Sequence, residues 1–352
     1  MTRPGSRDGA SPQASPLLSM NVPRGETDWW RRARAGLARR MAVDLGSSPA
    51  RTLFLAGSPR SGTTWLAEII NHDNRYRTIF EPFRPARVTL TRNFRSRQYL
   101  RPGTDDPALT VPIDRILAGR IRDPWTDQHN TRLLANRRLV KDPWSSLMLG
   151  WMSQRYPLMP MVLVIRHPCA VVSSQLAMGA WKWHVDLEDV LSQGSLVEDH
   201  LAPHLDAVRA AETVFERHVV LWCIENLVAL SHLEGRRAHV VFYEDLCLDP
   251  IPQLERLFAF VGMPFDPAAG PDMLRPSALT RTDSAIAKGE GLVDGWRRHV
   301  DPGDVRRAAD LVAAFGLDTI YGEGPLPVGR VVAAGDLNTA GAAGPASGPK
   351  GG

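Results

Sequence analysis

Cysteine is scarce: three in 352 residues, Cys169, Cys223 and Cys247, widely separated. An odd, sparse set without metal-ligand spacing excludes a disulfide framework or a zinc site and points to a reducing compartment. Long hydrophobic runs are also missing. The longest stretch without a polar side chain, as in 157–165, has nine residues, against ~20 for a membrane-spanning helix. The first sixteen residues are polar and lack the apolar core of a secretory signal, so the cytoplasm is the expected location. Lysine is rare as well, with four (141, 182, 288 and 350) among 42 basic residues. A lysine therefore stands out where arginine is the default. What remains is 43% hydrophobic and 23% charged, the composition of a folded globular chain rather than a collagen-like or wholly disordered one.

The charge that is present is unevenly placed. Residues 1–51 hold nine Arg and four acidic residues, whereas the remainder holds 33 basic and 34 acidic ones. The net +4 thus belongs to an arm beside a neutral body, weak support for a nucleic-acid partner. Four segments are expected: a disordered basic arm over 1–27, an amphipathic helix over 28–46, a catalytic-type domain over 47–322 and a disordered Gly/Ala/Pro tail over 323–352. Within Asp28–Leu45, Trp30, Ala33, Leu37, Met41 and Leu45 recur at helical spacing. Such a stripe serves either an anionic membrane surface or packing on the domain, and both readings stay open.

Between the arm and the tail, strand-like and helix-like segments alternate. Apolar runs at 52–56, 139–140, 161–165 and 238–243 are each followed by polar residues and a helical pattern, and 200–233 reads as one long helix. This alternation predicts a mainly parallel α/β sheet covered by helices on both faces. Ligands of such sheets bind at the carboxyl ends of the strands, so the residues just after each run are the informative ones.

After the first run comes Gly57-Ser58-Pro59-Arg60-Ser61-Gly62-Thr63-Thr64-Trp65. Gly57 and Gly62 have the spacing of a phosphate-binding loop between strand and helix, in which backbone N–H groups turn inward and the helix N-terminus adds positive charge. Nucleotide triphosphatases place Lys where this chain has Thr63, and here the cation is Arg60. The loop is therefore poorly suited to a magnesium-bound triphosphate. Pro59–Trp65 resembles the 5′-phosphosulfate loop of sulfotransferases that use 3′-phosphoadenosine 5′-phosphosulfate (PAPS). The Arg form is similar to that of tyrosylprotein and many bacterial members. The resemblance implies a P-loop-like three-layer fold, with Arg60, Ser61, Gly62, Thr63 and Thr64 on the phosphosulfate and Trp65 against adenine.

Further motifs follow in family order. Arg166-His167-Pro168 ends the strongest apolar run, and Ser174 lies eight residues beyond Arg166. A guanidinium at a strand end and a hydroxyl one to two turns into the next helix can close on one phosphate, and the pair resembles the family's 3′-phosphate motif. Tyr243-Glu244-Asp245 resembles the adenine-side segment. Lys288-Gly289-Glu290-Gly291 with Trp296 resembles, with stretched spacing, a loop that touches the 3′-phosphate.

Sulfuryl transfer needs a base for the acceptor proton and positive charge at the departing oxygen. The family resemblance makes Glu81, in Glu81-Pro82-Phe83, the base; by residue chemistry alone His72 and His167 are runners-up. It makes Lys141, in Lys141-Asp142-Pro143, the charge neutraliser beside Arg60. No metal is expected. Segments 84–138 and 178–204, the latter with Trp181, Trp183 and His184, match no motif and are candidate covers for the acceptor site. The implied activity is transfer from PAPS to a hydroxyl on a carbohydrate, lipid, natural product or peptide. The rivals are an ATP-dependent small-molecule kinase of the same fold class and a non-catalytic nucleotide-binding protein.

Overall fold

Alternating apolar side chains build a parallel sheet of five strands, seen in a computed structural model that describes residues 43–132, 134–179, 186–267 and 291–329. The strands are β1 (Thr52–Gly57), β2 (Tyr76–Phe80), β3 (Arg137–Lys141), β4 (Met161–Ile165) and β5 (Ala238–Phe242). Their spatial order is β2-β3-β1-β4-β5, and every pairing is parallel. Successive side chains of a strand point to opposite faces. Phe54 and Ala56 accordingly enter one core while Leu53 and Leu55 enter the other. All six β1 residues are buried, as a central strand covered on both faces requires.

Helices complete the two outer layers. The second core contains residues of α1 (Thr63–Ile70), α6 (Tyr243–Leu248) and α7 (Pro250–Val261). The first and larger contains residues of α2 (Pro107–Leu117), α3 (Leu149–Arg155), α4 (Pro168–Leu176), α5 (Val214–Leu233) and α8 (Pro302–Ala314). The chain leaves β1 for β2 and β3 on one side, then crosses to β4 and β5 on the other. The carboxyl end of β1 sits at that reversal, the place where open α/β sheets bind ligands.

The structure differs from the sequence reading in particular elements. The expected helix over 200–233 is broken: a short helix at Leu205–Arg209 stops, and α5 begins only after Thr213. Thr213 and Glu216 form a reciprocal capping box, with Glu216 N donating to Thr213 Oγ1 at 3.1 Å. This arrangement starts a new helix rather than continuing the old one. Strand β3 begins at Arg137 rather than Leu139, and Tyr243 opens a helix rather than closing β5. Val43–Asp44, near the end of the expected amphipathic helix, is a two-residue strand parallel to Leu134–Ala135. The rest of that helix up to residue 42, the arm, Trp181, Trp183, His184, Lys288, Gly289 and the chain after 329 lie outside the described residues. At the start of the expected tail, Val328 N donates to Ile320 O at 2.8 Å, so 323–329 pack against the domain.

Much of 84–138 is scaffold. Arg77, on β2, is fully buried and forks onto Asp127, with Nε–Oδ1 2.9 Å and Nη2–Oδ2 3.1 Å. It also donates from Nη1 to Gly119 O at 2.8 Å. The pair holds the loop after α2 against the sheet. Removing one partner of a buried pair leaves an uncompensated charge, at a cost of about 3–5 kcal/mol. Asp127→Ala should lower the free energy of unfolding by that amount in a denaturant titration, whereas loss of the exposed Arg209–Asp206 pair should change it by under ~1 kcal/mol.

Candidate active site

The loop after β1 folds as its glycines dictate. Gly57 and Gly62 have φ of +148° and +100°, values that glycine adopts without strain. A side chain on Gly57 would collide with Val164 O, and one on Gly62 would come within 2.7 Å of the Tyr243 ring. Gly62 caps α1 without a side-chain acceptor, so the first-turn N–H groups have no side-chain cap. Arg60 also lies in the left-handed region, with φ +77°. Such a conformation in a non-glycine residue persists only where the surroundings hold it.

Those surroundings come from β4, α4 and α5. Arg60 Nε donates to Ser174 Oγ at 3.0 Å, and Arg166 Nη1 donates to Arg60 O at 3.2 Å. Gln175, the residue after Ser174, donates to Pro59 O at 2.9 Å while its Oε1 meets His218 Nδ1 at 2.7 Å. Asn226 reaches Ser58 Oγ at 3.4 Å. The Arg166 guanidinium lies over the Tyr243 ring, 4.1 Å from its centroid, a cation–π contact. Tyr243 is only 2% exposed, and Trp65 stands edge-on to it at 5.6 Å. The two sequence motifs, Arg60–Trp65 and Arg166 with Ser174, thus meet at one place.

Within that place, Ser61 Oγ and Arg166 Nε are buried with no hydrogen-bond partner. Buried polar atoms are nearly always paired, and exceptions mark sites that a ligand or water completes. Together with the uncapped helix N-terminus and Arg60, they form a donor-rich set suited to oxyanions.

Beside the loop, the carboxyl ends of β2 and β3 bring Glu81 and Lys141 together. Lys141 Nζ donates to Glu81 Oε1 at 2.9 Å, with the lysine side chain 3% exposed. Glu81 N donates to Lys141 O at 2.8 Å, and Glu81 has φ +44°. Asp142 anchors both segments: Oδ2 accepts from Phe83 N at 2.8 Å and Oδ1 from Trp144 N at 2.7 Å. Burial pushes the Asp142 carboxyl up to about 7, against the opposing effect of those two backbone donors. Around Glu81 the sequence reading missed a basic and aromatic group. Arg84 approaches Glu81 Oε2 at 3.4 Å and lies over both Trp125 and Trp144, at 5.3 and 5.5 Å. Nothing in the order of residues 84–144 announces that meeting, because it depends on how the connection between β2 and β3 folds back.

The two histidines are structural. His167 Nδ1 accepts from Cys169 N at 3.2 Å, capping α4, and Nε2 lies 3.2 Å from Gly322 O. Its ring stacks on Trp296 at 4.5 Å. Both nitrogens are thus engaged in the neutral form, and burial holds His167 down to about 4. His72 contacts Ile69 O at 3.1 Å and Phe258, past the carboxyl end of α1. Glu244 is fully buried and joins His167 N, at 2.9 Å, to the Tyr321 hydroxyl, at 2.6 Å. Trp296 is 6% exposed and serves as the stacking partner of His167.

The family model described as "Sulfotransferase family" matches residues 52–267, which spans β1 to the end of α7. Nodulation protein NoeE of Sinorhizobium fredii is 26% identical over 281 residues, covering 74% of this chain. The chain spans 63% of the length of that relative. Among solved structures, the sulfotransferase domain from the curacin biosynthetic pathway aligns with 77% of this chain and 99% of its own, at 19% identity and a TM-score of 0.40. A mouse sulfotransferase, SULT7A1, complexed with PAP, aligns with 81% of this chain and 89% of its own, at 14% identity and a TM-score of 0.41. Likeness at those scores is loose, and the fold is read from the sheet itself.

The position of His167 generates a pH dependence. Its value is depressed in the folded state, so below its ordinary value near 6.5 the unfolded chain binds the proton more readily. The stability it contributes is complete above ~6.5 and is lost as the pH falls through about 4. His167→Asn keeps a capping acceptor but does not titrate. Unfolding measured from pH 7 to 4 should show a shallower loss in the variant than in the native protein.

Proposed function

The chain belongs to the sulfotransferase family, and on that footing we propose that it transfers a sulfuryl group from PAPS to a hydroxyl of its acceptor. The observation that supports the donor assignment is the meeting of the Arg60 loop with Arg166 and Ser174 on adjoining strand ends, where Ser61 Oγ and Arg166 Nε are buried and unsatisfied. A ligand with phosphates on both sides of one ribose fits that arrangement. Arg60, Ser61, Gly62, Thr63 and Thr64 hold the 5′ side, while Arg166 and Ser174 hold the 3′ side. Trp65 borders the adenine side. Tyr243 acts there by supporting Arg166 from below and by leaving room only for glycine at position 62. Lys288 and Gly289 complete the 3′ side in this reading.

PAPS supplies an activated sulfuryl group whose leaving group is adenosine 3′,5′-bisphosphate. Glu81 takes the acceptor's hydroxyl proton as the new O–S bond forms. Lys141 and Arg60 stabilise the negative charge that appears on the phosphate oxygen as its bond to sulfur breaks. The 2.9 Å contact between Glu81 and Lys141 supports a reading in which proton removal and charge balance occur at one point. Asp142 positions both by fixing the backbone on either side. The sparse, unpaired cysteines support a reducing, cytoplasmic setting. Among the described residues no helix is long and apolar enough to cross a membrane.

Thermal unfolding separates this reading from an ATP-dependent kinase. Adenosine 3′,5′-bisphosphate without metal should raise the midpoint by several degrees, ATP with Mg²⁺ should do so less, and Arg166→Ala should abolish the shift. Preference for ATP would sink the assignment. For the chemistry, labelled PAPS offered to a hydroxyl library should give transfer that Glu81→Gln slows ~10²–10⁴-fold while bisphosphate binding stays intact. Unchanged transfer in Glu81→Gln would remove it as the base.

A further inference from the structure

The opposite edge of the sheet carries a second basic cavity, of about 480 Å³, lined by Arg51, Arg137 and Arg237 together with Asn136, Tyr76 and Val261. Its place follows from the topology. Arg51 immediately precedes β1, Arg137 opens β3, and Arg237 immediately precedes β5. All three therefore stand at the amino ends of their strands. β1 alone separates them from the phosphate-type loop by ~20 Å, at about 3.3 Å per residue. From β3 to β5 is three strand spacings, or ~14 Å, so the cationic groups are spread along the cavity rather than focused at one point.

Among the described residues no carboxylate lines this cavity, and none of the three arginines is ion-paired to an acid. Each is anchored instead by a neutral contact. Arg51 Nη1 lies 3.5 Å from Asn136 O, Arg237 Nη1 donates to Leu158 O at 2.8 Å, and Arg137 lies beside the Tyr76 side chain. A guanidinium has five N–H donors, so these contacts position the side chains and leave most of their donors unspent. Leu53, Tyr76 and Val261 add buried apolar wall. The volume lies within the range of small-molecule pockets. Arginine forks favour phosphate and sulfate oxygens, and a row of three with no ion-paired acid among the described residues favours a ligand with more than one such group.

We infer that this cavity is a second anion site, distinct from the transfer site, for a small molecule bearing two or more phosphate or sulfate groups. The inference does not depend on the donor assignment, since it uses none of the same residues.

Calorimetric titration of the full chain, native and carrying Arg166→Ala to disable the transfer site, tests it. No bisphosphate is added, since it would itself belong to the inferred ligand class. Inorganic pyrophosphate and sucrose octasulfate are the two probes, and the better binder tells whether phosphate or sulfate is the natural group. At least one should bind the Arg166→Ala chain with a stoichiometry of one. Arg137→Gln with Arg237→Gln should weaken that binding tenfold or more, while Arg166→Ala alone should retain it. Arg51→Gln alone, which leaves Arg137 and Arg237 in place, should weaken it by a smaller factor and guards against misfolding of the double variant. Failure of both probes to bind, or equal binding by the native protein and both Gln variants, would overturn the inference. Absence of the bisphosphate shift in thermal unfolding, with probe binding intact, would count against the donor assignment alone.

Discussion

The contact on which the rest depends is Arg166 laid over the ring of Tyr243 beneath Gly62. It joins the carboxyl ends of β4 and β5 to the loop after β1. Arg166 also reaches Arg60 O, so a cation of one motif supports the strained backbone of the other. Gly62 has to be glycine because the tyrosine ring occupies the space of its side chain. A parallel sheet with its switch point at β1 makes this meeting geometrically available, and the stacked cation makes it specific.

On the other side of β1 the same edge of the sheet carries a different device. Lys141 and Glu81 form an ion pair with little exposure to water, and a pair taken out of water costs much of what its attraction returns. Structural stability alone is thus a weak account of it. A carboxylate and a cation held one hydrogen bond apart at the carboxyl ends of two strands accord better with the proposed coupling of proton removal to charge balance. The fully buried Asp142 fixes the backbone of both segments, and the positive φ of Glu81 is the strained element that this anchoring sustains.

The layered parallel fold was legible because the strands are short apolar runs, buried on both faces, each followed by a chemically distinctive residue. The positions of Arg60, Arg166 and Ser174 were legible for the same reason: Arg60 lies in the loop after β1, Arg166 immediately after β4, and Ser174 at a fixed spacing within the next helix. Three kinds of feature were not. The break before Thr213 rests on side-chain caps that compete with an otherwise continuous helical pattern. The grouping of Arg84, Trp125 and Trp144 depends on a long connection folding back, which periodicity does not report. The roles of His167 and Glu244 rest on partners such as Gly322 and Tyr321, more than 75 residues away in sequence. Histidine chemistry suggested a base there, whereas the geometry gives a helix cap with both ring nitrogens engaged.

A crystal structure with adenosine 3′,5′-bisphosphate tests the central claim most directly, because it reads both halves of the site at once. The account predicts the 5′-phosphate against the backbone of Ser61–Thr64 and the 3′-phosphate against Arg166 and Ser174, with Ser61 Oγ and Arg166 Nε satisfied by ligand oxygens. A ligand bound elsewhere, or bound with Arg166 Nε still unpartnered, would contradict it.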